Sequence, residues 1–277
     1  MREPERHAAE RAANRANWDE RAAVHPETDH YDVEGFLAGD SSLHSIERER
    51  LDADGASVCH LMCHIGLDTL SWARAGATVV GVDFSPVALA TARDLRDRAG
   101  IDPDAARFVE ADVYDAAGTL ADRFDVVVAT YGVFCWLPDL DGFFETVDRL
   151  LAPGGEALFV DDHPLAAAFD GDPPAYAYPY LDPVEMEVTD GASYADPDAE
   201  FEAATTYQYH RPLSAHVTAA ADAGLRVTAL EEFPVCEWRR FDWLERDGEW
   251  FVQPDDDERG PDLPLSFALS VEKPASA

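Results

Sequence analysis

The stretch VCHLMCHIGLDTLSWARAGATVVGVD, residues 58–83, constrains the fold more than any other part of the chain. An apolar strand from Val58 to Met62 leads into a sharp turn, and a helical pattern follows from about Leu67 to Ala75. A second apolar strand runs from Thr78 to Val82 and ends on Asp83. The pattern predicts a strand–loop–helix–strand unit that carries an acid at the tip of its second strand.

Such a unit suits a nucleotide-type ligand. A helix N-terminus at the end of the first strand presents backbone N–H groups that can hold a carboxylate or a phosphate. The carboxylate of Asp83 can accept hydrogen bonds from both hydroxyls of a ribose. The pattern therefore predicts a ligand with an anionic group, a ribose and an adenine. Two cofactor classes fit this description, a dinucleotide and S-adenosylmethionine (SAM).

The turn after the first strand separates these two classes. A dinucleotide site requires G-x-G-x-x-G, because the backbone must approach the pyrophosphate closely. Here only Gly66 is present, and Met62 and His64 take the other close-approach positions. This weakens the interpretation as a dinucleotide site, so an NAD(P)-dependent oxidoreductase is the weaker alternative.

Further segments follow the first unit in an informative order. They are Asp83–Pro86 (DFSP), Phe108–Val113 (FVEADV), Phe124–Val128 (FDVVV), and Leu150–Gly155 (LLAPGG) leading into an apolar strand over 156–160. This order resembles that of the class I SAM-dependent methyltransferases, well over residues 40–165 and loosely over the tail. The resemblance implies an α/β fold of the Rossmann-like, doubly wound type, with a seven-stranded, mostly parallel sheet and an antiparallel C-terminal strand. It also implies methyl transfer from SAM to a small-molecule acceptor.

The chain departs from that family in its first motif, which usually reads acid-x-Gly-x-Gly-x-Gly. His60 takes the position of the acid that helps to orient the methionine ammonium, and Asp68 is the nearest carboxylate that could replace it. Together with Trp18-Asp19 and the segment YDVEGF at 31–36, the altered loop resembles a poorly characterised branch of small-molecule methyltransferases. A SAM-binding protein without catalysis, such as a sensor or a partner subunit, remains an alternative.

The resemblance also implies a set of site residues. The expected cofactor residues are Met62, Cys63, His64, Gly66, Asp68, Thr69, Asp83, Phe84, Asp112, Val113 and Tyr131. Aromatic faces near the transferred methyl can attract a sulfonium, and the expected substrate residues are Trp18, Tyr31 and Trp136. His163 and His210 are candidate general bases, although a single histidine is more often structural. Phe84 is equally consistent with a core position, and Asp115 lies close enough to Asp112 to compete for its role.

The cluster Cys59-His60-x-x-Cys63-His64 invites a metal or haem interpretation. A structural zinc site needs four convergent ligands, whereas neighbouring residues on a strand point to opposite faces of the sheet. A covalent haem motif is Cys-x-x-Cys-His, and this sequence has one residue too many. We therefore expect no metal, and we expect the four cysteines to be buried free thiols.

Charge is the second strong feature of the chain. Fifty-six acidic residues face 21 basic ones, a net charge of -35, and Lys273 is the only lysine. Such a charge repels nucleic acid and anionic membranes, so neither is an expected partner. There is no apolar run of 18 residues and no apolar segment of a secretory signal. The acids are spread along the whole chain, which favours a cytoplasmic protein of a high-salt organism; the oligomeric state stays open.

Three regions are predicted along the chain: an N-terminal helical lid (1–50), a SAM-binding core (51–165), and a substrate insertion with the closing strands (166–277).

The expected helices are 5–24, 42–51, a helix capped by Ser85-Pro86 and ending near Arg98, 139–151, and Leu213–Ala223 ending at Gly224. The density of prolines predicts loops over residues 164–200. The pattern over residues 200–210 predicts a strand. The closing antiparallel pair is Val227–Phe233 with Leu265–Glu272, and Asp255–Glu258 form an acidic loop.

Overall fold

A computed structural model describes residues 6–171, 175–189, 193–254 and 263–275. Seven of its strands form one sheet: β1 (Ser57–Leu61), β2 (Thr78–Asp83), β3 (Ala106–Glu110), β4 (Phe124–Thr130), β5 (Leu151–Asp162), β10 (Arg226–Phe233) and β14 (Ser266–Glu272). Across the sheet they lie in the order β10-β14-β5-β4-β1-β2-β3. The predicted Rossmann-like α/β fold with seven strands is confirmed.

The order of the strands fixes where a ligand can bind. β1 pairs in parallel with β2 on one side and with β4 on the other, so the chain reverses its winding direction between them. In doubly wound sheets such a switch point opens a crevice at the carboxyl ends of the strands. β14 runs antiparallel between β5 and β10, which confirms the predicted closing pair.

The helices cover both faces of the sheet. They are α1 (Ala8–Val24), α2 (Val33–Ala38), α3 (Ser45–Arg50), α4 (Leu67–Arg74), α5 (Pro86–Arg98), α6 (Ala116–Thr119), α7 (Leu140–Leu150) and α8 (Leu213–Asp222). Neighbouring residues of β1 bury opposite faces of the sheet: Cys59 packs in a cluster with α7 and α8, and Val58 packs in another with α3 and α4. This two-sided burial explains why the strands read as continuous apolar runs.

The start of α5 follows directly from its sequence. The Ser85 hydroxyl accepts a hydrogen bond from the Ala88 N–H (3.1 Å), and Pro86 occupies the first helical position. A serine cap followed by proline satisfies or removes N–H groups that have no partner inside the helix. The cap holds the chain just beyond Asp83, so the local sequence sets the geometry of the β2 end.

The region after β5 contains strands that the sequence analysis missed. The predicted strand 200–210 begins only at Thr205 (β9, Thr205–His210), and it pairs antiparallel with β8 (Val184–Thr189) inside the predicted loop. Proline density around β8 concealed the alternation of Val184, Met186 and Val188 with glutamates, a period of two that is typical of strands.

Smaller sheets complete this region. They comprise β6 (Phe169–Asp170) with β7 (Ala175–Tyr176), and β11 (Val235–Cys236), β13 (Trp250–Val252) and β12 (Glu245–Asp247). The predicted acidic loop Asp255–Glu258 lies outside the described residues. No helix in the described ranges is long and apolar enough to span a membrane.

The N-terminal helix is joined to the β8–β9 hairpin by side chains that imitate strand pairing. The Asn14 amide donates to the Tyr207 carbonyl (2.8 Å) and accepts from the Tyr207 N–H (2.7 Å). Asn17 donates to the Ala203 carbonyl (2.8 Å), and Glu20 accepts from the Ala203 N–H (3.1 Å). Helix α1 and the hairpin therefore form one layer, although they lie almost 200 residues apart in sequence.

Candidate functional site

A cavity of about 820 Å³ lies at the carboxyl ends of the parallel strands, at the switch point of the sheet. Its floor comes from the loops after β1, β2, β3, β4 and β5, and its roof comes from α1, the β8–β9 hairpin and the segment after β11. This volume falls in the upper part of the range of about 300–1,000 Å³ that is common for small-molecule sites.

The loop after β1 keeps an unusual backbone. Met62 and His64 have φ of 56° and 50°, and Gly66 has φ of 79°. Left-handed backbone costs non-glycine residues about 1–2 kcal/mol each, and the family has glycine at those two positions. A Cβ atom on Gly66 would lie 2.8 Å from the Phe108 ring, so this glycine also permits close packing. Met62 and His64 therefore hold a backbone conformation that glycine adopts without strain, and their side chains line the cavity.

Asp83 lines the cavity at the tip of β2 and is 7% exposed. Its carboxylate accepts hydrogen bonds from the His64 N–H (2.8 Å) and the Ser85 N–H (2.8 Å). Burial raises its pKa to about 6, and these backbone hydrogen bonds oppose that shift. The carboxylate thus ties the β1 loop to the β2 end and keeps two further lone pairs for a ligand.

His60 does not act as a charged group in this site. Its Nδ1 lies 2.9 Å from the Thr69 hydroxyl, and burial lowers its pKa to about 4, so the ring is neutral at pH 7. The carboxylate of Asp68 lines the cavity instead, and it accepts hydrogen bonds from the Ser42 hydroxyl (2.6 Å) and the Thr130 hydroxyl (3.2 Å). At this end of the cavity, the carboxylate therefore lies on the first turn of α4 and not at the end of β1.

An aromatic and imidazole cluster forms the roof. His25 Nδ1 lies 2.9 Å from His64 Nε2, and His25 Nε2 lies 2.8 Å from the Ser193 hydroxyl. Burial lowers the pKa of His25 to about 2 and that of His64 to about 3, so both rings are neutral. The Tyr31 and Tyr194 hydroxyls share a short hydrogen bond beside them. The cluster joins the N-terminal segment, the β1 loop and the region before β9.

Trp18 lies where this roof meets the β4 loop. Its ring makes edge contacts with His64 (5.2 Å between centroids) and with Trp136 (5.4 Å). Below them, the Tyr131 hydroxyl donates to the Glu47 carboxylate (2.8 Å), which is fully buried. Burial, followed by the nearby Asp68, raises the pKa of Glu47 to about 7. These contacts fix the aromatic faces around the centre of the cavity.

The two candidate bases differ in what their rings contact. His163 Nδ1 accepts from the Leu165 N–H (3.0 Å), and its Nε2 faces the Glu232 carboxylate (2.8 Å). Both nitrogens are therefore used by structural partners, which argues against a role as base. His210 lines the cavity and contacts Gln208 through Nε2 (3.3 Å); burial lowers its pKa to about 4.

The structure brings nearly all sequence-predicted site residues to one cavity. Those that line it are Trp18, Tyr31, Met62, Cys63, His64, Gly66, Asp68, Asp83, Phe84, Asp112, Val113, Tyr131, Trp136, His163 and His210. Thr69 does not line it, because its fully buried hydroxyl points to His60 behind the helix start. Asp112 forms an ion pair with Arg11 of α1, a contact that local sequence could not show.

The sequence analysis missed an acidic group at the far end of the cavity. Asp161 and Asp162 end β5, and Glu237 and Arg240 follow β11. Asp161 and Asp162 come directly after an apolar strand, and this sequence pattern could have been used to predict them. No sequence pattern pointed to Glu237, because this residue reaches the site only through the fold of the last third of the chain.

Comparisons with known proteins agree with this geometry. A methyltransferase domain family matches residues 60–159. An uncharacterized methyltransferase of Synechocystis sp. is 33% identical over 129 residues, 46% of this chain and 57% of the relative. A ubiquinone biosynthesis O-methyltransferase of Klebsiella pneumoniae is 29% identical over 158 residues, 50% of this chain and 64% of the relative. The chain thus spans less than two thirds of the length of these curated relatives.

Solved structures share the fold at low sequence identity. A SAM-dependent methyltransferase of Mesorhizobium loti has a TM-score of 0.57 at 20% identity, covering 85% of this chain and 99% of its own. One from Clostridium acetobutylicum has a TM-score of 0.56 at 13% identity, covering 93% and 99%. The glycopeptide N-methyltransferase MtfA in complex with SAM has a TM-score of 0.51 at 19% identity, covering 86% and 88%.

A seven-stranded sheet of this order with a cavity at its switch point is the class I SAM-dependent methyltransferase fold. Residues 60–159 match a methyltransferase domain family, which agrees with the resemblance found in the sequence.

Proposed function

We propose that this protein binds SAM in the switch-point cavity and transfers its methyl group to a small molecule. The observation that carries the proposal is the carboxylate of Asp83 at the tip of β2, facing a large cavity inside a matched methyltransferase domain. In this proposal Asp83 accepts both ribose hydroxyls. Phe84, Asp112 and Val113 line the same side and would contact the adenine.

The methionine end of SAM carries an ammonium and a carboxylate. In our proposal Asp68 holds the ammonium, because His60 is neutral and the Asp68 carboxylate lines the cavity. The first-turn N–H groups of α4 lie at the same end and suit the methionine carboxylate. The donors and acceptors of the site thus match the cofactor at both ends.

The methyl group would then lie near the β4 loop, below Trp18 and Trp136. Aromatic faces attract a sulfonium by roughly 0.5–2 kcal/mol, depending on how dry the site is. When bound, SAM supplies an electrophilic methyl group, and the chain's own residues hold the acceptor in line with it and exclude water. Proximity and alignment of this kind can contribute about 7–11 kcal/mol to the barrier reduction.

Titration calorimetry with SAM and with NADH tests this proposal. We expect SAM to bind with a dissociation constant in the micromolar range and NADH to give no heat, because the side chains of Met62 and His64 obstruct the approach of a pyrophosphate. Binding of NADH without binding of SAM would favour the oxidoreductase. Binding of SAM with no methyl transfer to any of a broad panel of metabolites would favour a non-catalytic sensor.

We also propose that the protein is cytoplasmic and works at high salt. The support is the net charge of -35 with acids spread over the whole chain. Lowering potassium chloride from about 1 M to about 0.1 M lengthens the screening distance from about 3 Å to about 10 Å, so repulsion among the acids grows. We expect the melting temperature to fall by at least about 5 °C. A melting temperature that is flat over this range would contradict the proposal.

A further inference from the structure

The acidic group beyond the β4 loop is not used by the proposed cofactor. Asp161 is the structural member of this group. Its carboxylate accepts hydrogen bonds from the backbone N–H groups of Gly132 (2.6 Å), Val133 (3.0 Å), Phe134 (2.7 Å) and Asp162 (2.7 Å). With these lone pairs in use, Asp161 holds the β4 loop in place and has little left for a ligand.

Asp162 is neutralised by its neighbours. Arg240 Nη1 donates to its carboxylate (2.9 Å), and Trp238 Nε1 lies 3.2 Å from both carboxylate oxygens. This arrangement also orients the Trp238 ring at the edge of the cavity. The charge of Asp162 therefore belongs to an internal ion pair.

Glu237 is the acid that stays without a cation. It lines the cavity directly after β11, and among the described residues no basic side chain forms an ion pair with it. Burial, followed by the proximity of Asp162, raises the pKa of Glu237 well above its usual range. A carboxylate that is desolvated in this way requires either a proton or a cation from outside the protein.

The walls around Glu237 suit an organic cation. Trp238 is the next residue, and the Tyr194 ring lies 6.0 Å from the Trp238 ring between centroids. Trp136 lines the same cavity, at the loop beside which the methyl group would lie. Aromatic faces beside a desolvated carboxylate bind ammonium groups through cation–π attraction and charge-assisted hydrogen bonds.

We propose, building on the function proposed above, that the methyl acceptor is an amine that enters as its ammonium form and binds to Glu237. Glu237 then removes one proton: an N–H bond breaks, an O–H bond forms, and the nitrogen regains its lone pair. That lone pair forms the new C–N bond with the methyl carbon as the C–S bond breaks. The positive charge passes from sulfur to nitrogen, and the proton held by Glu237 later leaves to solvent.

A metal ion is the competing occupant, because ligand atoms of Asp162, Cys236 and Glu237 lie within 4.8 Å of one another. Two observations favour the amine. Asp162 is already paired with Arg240, and Cys236 is fully buried, with burial keeping its pKa high and its thiol protonated. A divalent ion would have to displace the guanidinium and the thiol proton, whereas an ammonium needs only Glu237 and the aromatic walls.

The test uses the full chain and matched ligands. Calorimetry with SAM alone comes first and decides the proposed function independently. Protein saturated with S-adenosylhomocysteine, which is what remains of SAM after methyl transfer, is then titrated with pairs that share a carbon skeleton, from ethylamine and ethanol to phenethylamine and phenethyl alcohol. We expect at least one amine to bind about 10- to 100-fold more tightly than its alcohol.

Variants show whether Glu237 is responsible. Glu237→Gln should lose that amine preference and leave SAM and alcohol binding unchanged, whereas Glu245→Gln, an exposed acid outside the cavity, should keep it. Amines that bind no better than alcohols, or a preference that survives in Glu237→Gln, would overturn the inference. Tight binding of zinc chloride that Glu237→Gln abolishes, without any amine preference, would assign the group to a metal instead. If SAM does not bind, the same titrations are made on the protein alone, and an amine preference there would reject the proposed function without overturning the inference.

Discussion

Replacement of Asp83 by alanine is expected to weaken SAM binding by at least about 100-fold. The carboxylate should accept both ribose hydroxyls, and charge-assisted hydrogen bonds contribute about 1.5–3 kcal/mol each. At about 1.4 kcal/mol for each factor of ten, two such bonds give the expected loss. Calorimetry on Asp83→Ala, with Asp104→Ala as the exposed-acid control, measures the effect.

Because Asp83 also accepts from the His64 and Ser85 N–H groups, the alanine variant could lose affinity through a distorted loop. Asp83→Asn preserves the shape and one acceptor, and we expect it to lose about 10-fold in SAM affinity and some thermal stability, because its NH2 group faces either the His64 N–H or the Ser85 N–H. SAM affinity that stays at the wild-type level in a folded Asp83→Ala would show that the carboxylate serves only to tie the two strand ends together.

The raised pKa of Asp83, about 6, adds a signature in pH. The carboxylate is ionised above pH 6 and becomes protonated below it, so SAM affinity should fall by up to about 10-fold from pH 7 to pH 5. SAM itself carries an amino group with a pKa of about 8 and a carboxyl group with a pKa of about 3.5. Because both values lie outside this window, the charge of SAM stays constant over it. Asp83→Asn has no titratable group at this position. Its SAM affinity should therefore change less between pH 7 and pH 5 than that of the wild type.

Local sequence was sufficient to predict the part of the cavity wall that lies at the ends of β1 and β2. The strand, turn, helix and strand from residue 58 to residue 83 are adjacent in sequence, and hydrophobic periodicity determines them without any long-range contact. The acid at the end of β2 follows from the same pattern. Thr69 was predicted among the cofactor residues; its position on α4 turns the hydroxyl inward to His60, and it does not line the cavity.

The other half of the site depends on contacts between distant segments. Glu237 reaches the cavity because the chain returns through β10 and β11 after crossing the sheet, a path that no local pattern around residue 237 encodes. The hydrogen bond from His25 to His64 joins residues 39 positions apart, and the Arg11–Asp112 pair joins residues 101 apart. Tertiary packing decides such contacts, so sequence periodicity could not supply them.

The roof of the cavity gives the second large expected effect. We propose that the predicted lid of residues 1–50 acts together with the β8–β9 hairpin, to which Asn14 and Asn17 join it. Complete removal of the segment is a poor test, because Val33 and Phe36 belong to the apolar core against α4 and α5. Trp18 is the better target, since it lines the cavity and is not part of that core.

Trp18→Ala should weaken SAM binding by about 10- to 100-fold. Two aromatic contacts, to His64 and to Trp136, would be lost at about 0.5–1.5 kcal/mol each, and water would enter above the sulfonium. Trp18→Phe should recover much of the affinity, and Tyr176→Ala, which removes an exposed ring outside the cavity, should bind SAM as the wild type does. Wild-type SAM affinity in a folded Trp18→Ala would mean that α1 only covers the edge of the sheet and that another element closes the site.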